Sequence, residues 1–173
     1  YGFGIDVVPA FKITDHQAGD HYYIAAGREQ DGWMSTNPHR DIDAFEYGDT
    51  RLKGLLRPTT RLMRKWNELS NCERLSGFHV DALVYRALQA KDIDSLELGV
   101  LHCLADFENL LGTHCPQFSG FAPHIDHGLS EEDKRLSKVA VMRAKNAIFS
   151  AMQQGQKSAI EEAWNNVFAG QLL

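Results

Sequence analysis

Apolar and polar positions change rhythm once along this chain, near residue 50, and the change divides it in two. Before that point the apolar residues come in short runs. The stretch 1–11 is apolar with one acid in its middle, Ile5-Asp6-Val7-Val8, and its β-branched residues favour a strand over 5–10 that Pro9 closes. A turn over 18–20 leads to a second short strand over 21–25, carrying Tyr22, Tyr23 and Ile24. Residues 33–36 supply a third extended piece. It breaks at Thr36-Asn37-Pro38, because a residue before proline avoids the helical region.

From residue 50 onward the spacing becomes helical. Leu55, Leu56, Thr59, Leu62, Met63 and Trp66 share one stripe and predict a helix over 55–67. After a loop over 70–76, a helix over 77–89 carries Phe78, Leu83, Val84, Ala87 and Leu88. The next is expected over 93–111, capped by Asp92, with Leu96, Val100, Leu104, Phe107 and Leu111 apolar. A loop over 112–128 is rich in Gly, Pro and His. Ser130 and the acids that follow it start a helix reaching residue 153, which Gly155 ends. Ile160, Ala163, Trp164, Val167 and Phe168 mark the last helix, with Gly170 as its stop. The expectation is an α+β chain: a small piece of sheet, then about five helices whose stripes bury one another as a bundle. A cleft where bundle meets sheet is the natural place for a ligand.

Composition narrows the function classes. The 173 residues are 43% hydrophobic and 24% charged, ordinary for a globular domain or a domain and part of another. Lys and Arg number 18 against 23 Asp and Glu, a net charge of -5, which argues against a nucleic-acid backbone as partner but leaves room for a local basic groove. No apolar run approaches the roughly 18 residues that a membrane helix needs, and no charged leader precedes an apolar one. Cys72, Cys103 and Cys115 are odd in number and scattered, which suits a reducing cytoplasm better than a disulfide framework. The chain opens on Tyr1 and enters an apolar strand almost at once, so it reads as a fragment of something longer.

Four groups of residues carry possible chemistry, each with a plainer alternative. Asp6, flanked by Ile5, Val7 and Val8, is either a strand-edge carboxylate paired with an arginine or a ligand of a metal that assists phosphoryl or nucleotidyl transfer. Arg57, Arg61, Arg64 and Lys65 fall on one flank of a helix, as a solvated face or as a clamp for a triphosphate. Ser76, before Gly77 and Phe78, caps a helix or offers its hydroxyl and the helix amides to a phosphate. His102, Cys103, His114, Cys115, His124, Asp126 and His127 are surface and loop residues or zinc ligands, although no Cys-x-x-Cys pair occurs among them.

Taken in order, these pieces resemble the family of cyclic-GMP-AMP-synthase-like and oligoadenylate-synthetase-like nucleotidyltransferases. Ile5-Asp6-Val7-Val8-Pro9-Ala10 is similar to the strand bearing that family's third catalytic aspartate. Tyr22-Tyr23-Ile24, Trp33 and Thr36-Asn37-Pro38 resemble its following strand, tryptophan and turn, and Leu62-Met63-Arg64-Lys65-Trp66-Asn67 its basic helix. The segment from Ser76-Gly77-Phe78 to Leu83 resembles the serine-led helix that comes next, and Ala163-Trp164 to Phe168-Ala169-Gly170 the closing segment, with Ala169 inserted. The resemblance spans nearly the whole chain and is nearest to the bacterial enzymes of anti-phage signalling, which make cyclic di- or trinucleotides.

The resemblance implies an assignment. Residues 1–50 would be the carboxy-terminal part of a catalytic core, the edge of a nucleotidyltransferase mixed sheet, and 51–173 a mainly α-helical domain. Asp6 would be catalytic and a ligand in a two-ion Mg2+ site whose other ligands, on a Gly-Ser turn and an Asp-x-Asp pair, lie upstream of this chain. Lys65 and Arg64, with Arg61 on the same flank, would hold the donor triphosphate, and Ser76 would bond the phosphates from the opposite wall. Gly77 departs from the family, where a bulky residue is common. The partners would be nucleoside triphosphates and the missing amino-terminal half of the same protein, with no membrane involved. Without that half the chain is expected to be inactive. Two other readings stand beside it: a nucleotide-binding or regulatory module that has lost the chemistry, and a zinc-stabilised interaction domain.

Overall fold

The structure, a computed structural model, describes residues 8–15, 19–25, 32–70, 73–116, 118 and 125–168. Three strands, β1 (Ala10–Asp15), β2 (Gly19–Ala25) and β3 (Trp33–Thr36), form an antiparallel sheet in that order. Six α-helices follow among the described residues: α1 (Pro38–Arg51), α2 (Leu56–Ser70), α3 (Gly77–Leu88), α4 (Leu96–Leu110), α5 (Glu131–Gln154) and α6 (Lys157–Phe168). A 3-10 turn, Ile125–Gly128, precedes α5. The expected α+β class, a small sheet and then a helical bundle, is what the chain adopts.

Three local expectations are corrected. The first described strand begins at Ala10, just after Pro9, where the sequence suggested that a strand closes. Proline has no N–H to give to a ladder, so it stands outside the pairing on either account. Residues 5–7 lie outside the described residues. The helices begin at residue 38, not near 50. Asn37 accepts the Arg40 N–H at 3.1 Å and Pro38 occupies the first turn, so Thr36-Asn37-Pro38 ends a strand and starts α1 in the same step. The buried residues of α1 are Asp41 and Gly48, which leaves no apolar stripe to read. Finally Ser95, not Asp92, caps α4, by accepting the Leu98 N–H at 3.2 Å. The predicted caps of α3 and α5 stand: Ser76 accepts the His79 N–H, and Ser130 accepts the Asp133 N–H. Gly155 ends α5 in the left-handed region at φ 70°, where a side chain would be strained.

The bundle is built round α2, which packs against α3, α4 and α6, while α4 packs on α5 and α5 on α6. Trp66 is fully buried and meets Phe107 of α4 edge to face, with ring centres 6.2 Å apart. Leu56, Met63, Leu83, Leu104 and Ile148 close the same core. Two glycines let helices approach: a Cβ on Gly99 of α4 would stand 2.7 Å from Thr59 Oγ1 of α2, and one on Gly48 of α1 would stand 2.8 Å from Tyr85 Cε2.

The sheet is different. Its ladder puts Phe11, Ile13, Tyr23 and Trp33 on one face, and all four are exposed, Phe11 by 60% and Trp33 by 55%. Their rings and methyls cover one another only in part, with Phe11 edge-on to Trp33 at 5.0 Å. The link from sheet to helices runs through Asn37, whose Nδ2 donates to the Asp20 carbonyl, and through the Tyr22–His39 ring contact.

Candidate functional site

Helix α2 is amphipathic in the strict sense. Leu56, Leu62, Met63 and Trp66 face the core, so helical geometry must send Arg57, Arg61, Arg64 and Lys65 outward along one flank. Each of these cations has its own surroundings. Arg57 donates from Nε to Asp49 Oδ2 at 3.0 Å, lies 3.6 Å from Glu46, and holds its guanidinium over the Phe45 ring at 5.7 Å. Lys65 Nζ donates to Glu68 one turn along at 2.7 Å. Arg64 reaches across to α3 and forks onto the Asp81 carboxylate, Nε to Oδ1 at 2.6 Å and Nη2 to Oδ2. Arg61 is exposed and, among the described residues, pairs with no carboxylate.

The first turn of α3 is brought beside Arg64. A Cβ on Gly77 would lie 3.5 Å from Arg64 Cζ, ordinary contact, so the guanidinium lies against the backbone at the start of the helix. Ser76 stands at the same end with its hydroxyl oxygen accepting the His79 N–H at 3.1 Å. Among the described residues the hydroxyl hydrogen meets no acceptor. The structure therefore brings Arg64 to the Ser76-Gly77 turn and leaves Lys65 and Arg61 along the adjoining flank of α2.

Asn67 fixes this arrangement, and sequence reading gave it no role. Its buried amide donates to the Leu75 carbonyl at 2.8 Å and accepts the Leu75 N–H at 3.4 Å. A side chain that copies a strand partner in this way ties the loop before α3 to the end of α2, and so sets where Ser76 stands. The signal was an amide at the end of an apolar stripe, which spacing alone cannot separate from a solvated residue.

Next to the Arg64–Asp81 fork is a groove of about 210 Å³ between α1, α2 and α3, bordered by Arg57, Asp81, Phe45, Phe78 and Phe118. Phe118 is its hub. It meets Phe45, Phe78 and Tyr85 edge to face at 5.7, 5.3 and 5.3 Å. The groove thus has an apolar aromatic wall and a rim of charges of both signs, on the side of the bundle from which α1 leads back to the sheet.

The other candidate residues separate into two sets. Asp6, Cys72 and His124 lie outside the described residues, as does the His127 side chain. Cys103 and Cys115 are buried and unbridged, and burial raises the pKa of both thiols, which makes them poor nucleophiles and poor metal ligands. Asp126 is buried and structural: its Oδ1 accepts the Cys115 N–H at 3.0 Å, and Lys134 and His114 stand 3.5 and 3.6 Å from its Oδ2. Among the described residues no group of three His, Cys, Asp or Glu side chains is placed to hold a metal ion. These residues do not by themselves fit either a zinc site or the carboxylate set that a pair of magnesium ions needs. No described helix is long and apolar enough to cross a membrane.

No protein-family model matches the chain, and a search of curated proteins finds none similar to it.

Proposed function

We propose that this chain is the carboxy-terminal part of a nucleotidyltransferase that joins nucleoside triphosphates into cyclic or linear oligonucleotide signals in anti-phage defence, and that its α2–α3 junction holds the donor triphosphate. The observation that carries the reading is the seating of Arg64 against the Ser76-Gly77 turn. A cation on one helix then faces the amino end of another, where the dipole and a serine hydroxyl favour the same anion. Arg61 and Lys65 extend this field along α2, and the aromatic wall at Phe78 and Phe118 gives a base or ribose an apolar surface.

The roles follow from charge. Arg64 serves a phosphate bidentately once it turns from Asp81, Lys65 and Arg61 neutralise the outer phosphates, and Ser76 donates its hydroxyl hydrogen. Asp6, with carboxylates upstream of this chain, would hold magnesium, which would supply neutralisation of the charge on the leaving pyrophosphate. The exposed apolar face of the sheet agrees with this scheme. Phe11, Ile13, Tyr23 and Trp33 form the kind of surface that a further layer of the same domain covers, and an amino-terminal half would supply it.

The test is a synthesis assay on the longer protein that this reading requires, with radiolabelled nucleoside triphosphates and magnesium. Product from the parent and none from Asp6→Ala, with unchanged circular dichroism, supports the assignment. Undiminished product from Asp6→Ala removes the metal role. Nucleotide binding with no product under any condition favours a binding module that has lost the chemistry.

A further inference from the structure

A second concave site shares no lining residue with the α2–α3 groove. It is a cleft of about 620 Å³ between the loop that follows α4 and the first turns of α5, with Gly112 and His114 on one side, Lys134, Arg135 and Lys138 on the other, and Asp126 beneath. A volume of several hundred Å³ suits a small organic ligand.

Its charges are unequally satisfied. Lys134 is held by Glu131 at 2.9 Å and by Asp126 at 3.5 Å. Arg135 forks onto Glu132 at 2.7 and 2.8 Å. Lys138 differs: it is half-buried and, among the described residues, pairs with no carboxylate. Its ammonium sits where Gly112 leaves space, since a Cβ there would stand 3.0 Å from Nζ. Taking an ammonium partly out of water without a counter-charge is costly, and a bound anion removes that cost. Lys134, Arg135 and Lys138 fall at i, i+1 and i+4, so they share one flank of α5.

We propose that this cleft binds a small soluble phosphoryl compound, with Lys138 as its principal ligand and Lys134 and Arg135 as flanking donors. A long nucleic-acid backbone does not fit, because Glu131, Glu132 and Asp133 line the first turn of α5 and the chain carries a net charge of -5. The three cations against Asp126 and Glu131 leave one net positive charge among the ionised lining groups, enough for a compact dianion that loosens the Lys134 and Arg135 pairs on entry. The site stands independently of the nucleotidyltransferase reading, because it depends on no residue of α2 or α3.

Inorganic pyrophosphate is the probe, titrated calorimetrically into the whole chain at low ionic strength, with amide NMR shifts followed in parallel. The expected result is saturable binding, weakened by added salt, with shifts centred on Gly112 and Lys138. Lys138→Gln should weaken it about tenfold, the loss of one charge-assisted hydrogen bond, while Lys138→Arg retains it and Lys157→Gln, on the exposed face of α6, leaves it unchanged. If Lys138→Gln alters the fold, Gly112→Ala provides the second reading, since a methyl there displaces the ammonium and should weaken binding too. The proposal is overturned by no saturable binding, by shifts confined to α3, or by binding that Lys138→Gln and Gly112→Ala both leave intact.

Discussion

Arg64 on α2 and Asp81 on α3 are fork and carboxylate, with Nε donating to Oδ1 at 2.6 Å and Nη2 to Oδ2. The carboxylate is the better buried partner, with 13% of its side chain exposed against 52% for the arginine. The pair therefore has two consequences: it pins the two helices together, and it occupies the cation best placed to meet a phosphate at the Ser76 turn. Asp81→Asn should release Arg64 and tighten ATP binding by up to about fivefold, since a partly exposed ion pair contributes roughly 1 kcal/mol or less. Calorimetry on the two proteins checks this. A weaker affinity in Asp81→Asn would show that Arg64 needs its carboxylate in place to serve the ligand.

Asn67 should matter more to stability than its neighbours on the surface of α2. Replacing it with alanine leaves the buried Leu75 N–H and carbonyl without their partners. A loss of about 1–3 kcal/mol is expected, read as a lower urea midpoint with an unchanged slope. A loss of anion binding should accompany it at temperatures where the fold survives, because the loop that places Ser76 is no longer tied.

The approach of α4 to α2 sets a third expectation. Gly99→Ala puts a methyl 2.7 Å from Thr59 Oγ1, which is itself held by donation to the Leu55 carbonyl at 2.7 Å. Overpacking of this kind costs about 1–3 kcal/mol. Thr59→Ala in the same chain should recover part of that loss by making room, and a double-mutant cycle of thermal midpoints measures it.

Acid should destabilise the fold in two stages. Burial lowers the pKa of His79 below its ordinary 6.5, with Lys134 adding to the effect and Asp126 opposing it. Because the folded pKa is depressed, the unfolded chain takes up the proton first. The contribution of neutral His79 is fully present above 6.5 and is lost as pH falls from there toward the folded value. For Asp126, burial pushes the pKa up but is outweighed by the Cys115 N–H, its own N–H, Lys134 and His114, which leave it below 3.8. Its contribution is present above 3.8 and disappears as pH falls through the folded value. Urea midpoints should therefore drop between pH 7 and 5.5, and His79→Gln should flatten that part of the curve while leaving the fall below pH 4.

Much of this architecture was legible from spacing. The α2 stripe, the serine caps at Ser76 and Ser130, the Gly155 stop and β3 over 33–36 all follow from periodicity and local hydrogen bonding. Helix α1 was hidden because its buried positions are Asp41 and Gly48, so hydrophobic period carries no information there, and only Asn37-Pro38 signals its start. The cap of α4 was misplaced because Asp92 and Ser95 are both good caps, and the residues between them decide the choice through packing of Ile93 in the core. On α2 the sequence shows four cations on a flank, but it cannot show which carboxylates answer them. Asp49 and Asp81 come from other helices, and those pairings exist only in three dimensions. The same limit applies to the Phe118 hub, which gathers Phe45, Phe78 and Tyr85 from two helices onto a loop residue.

The central claim is that the α2–α3 junction receives a triphosphate, and its most direct measurement is an ATP titration of the isotopically labelled chain by amide NMR. The account predicts shifts that begin at Gly77, Phe78 and His79 and extend along the Arg61–Lys65 flank, with affinity reduced about tenfold by Arg64→Gln and by Ser76→Ala to a smaller degree. Shifts that avoid the start of α3, or an affinity that neither substitution changes, would contradict it.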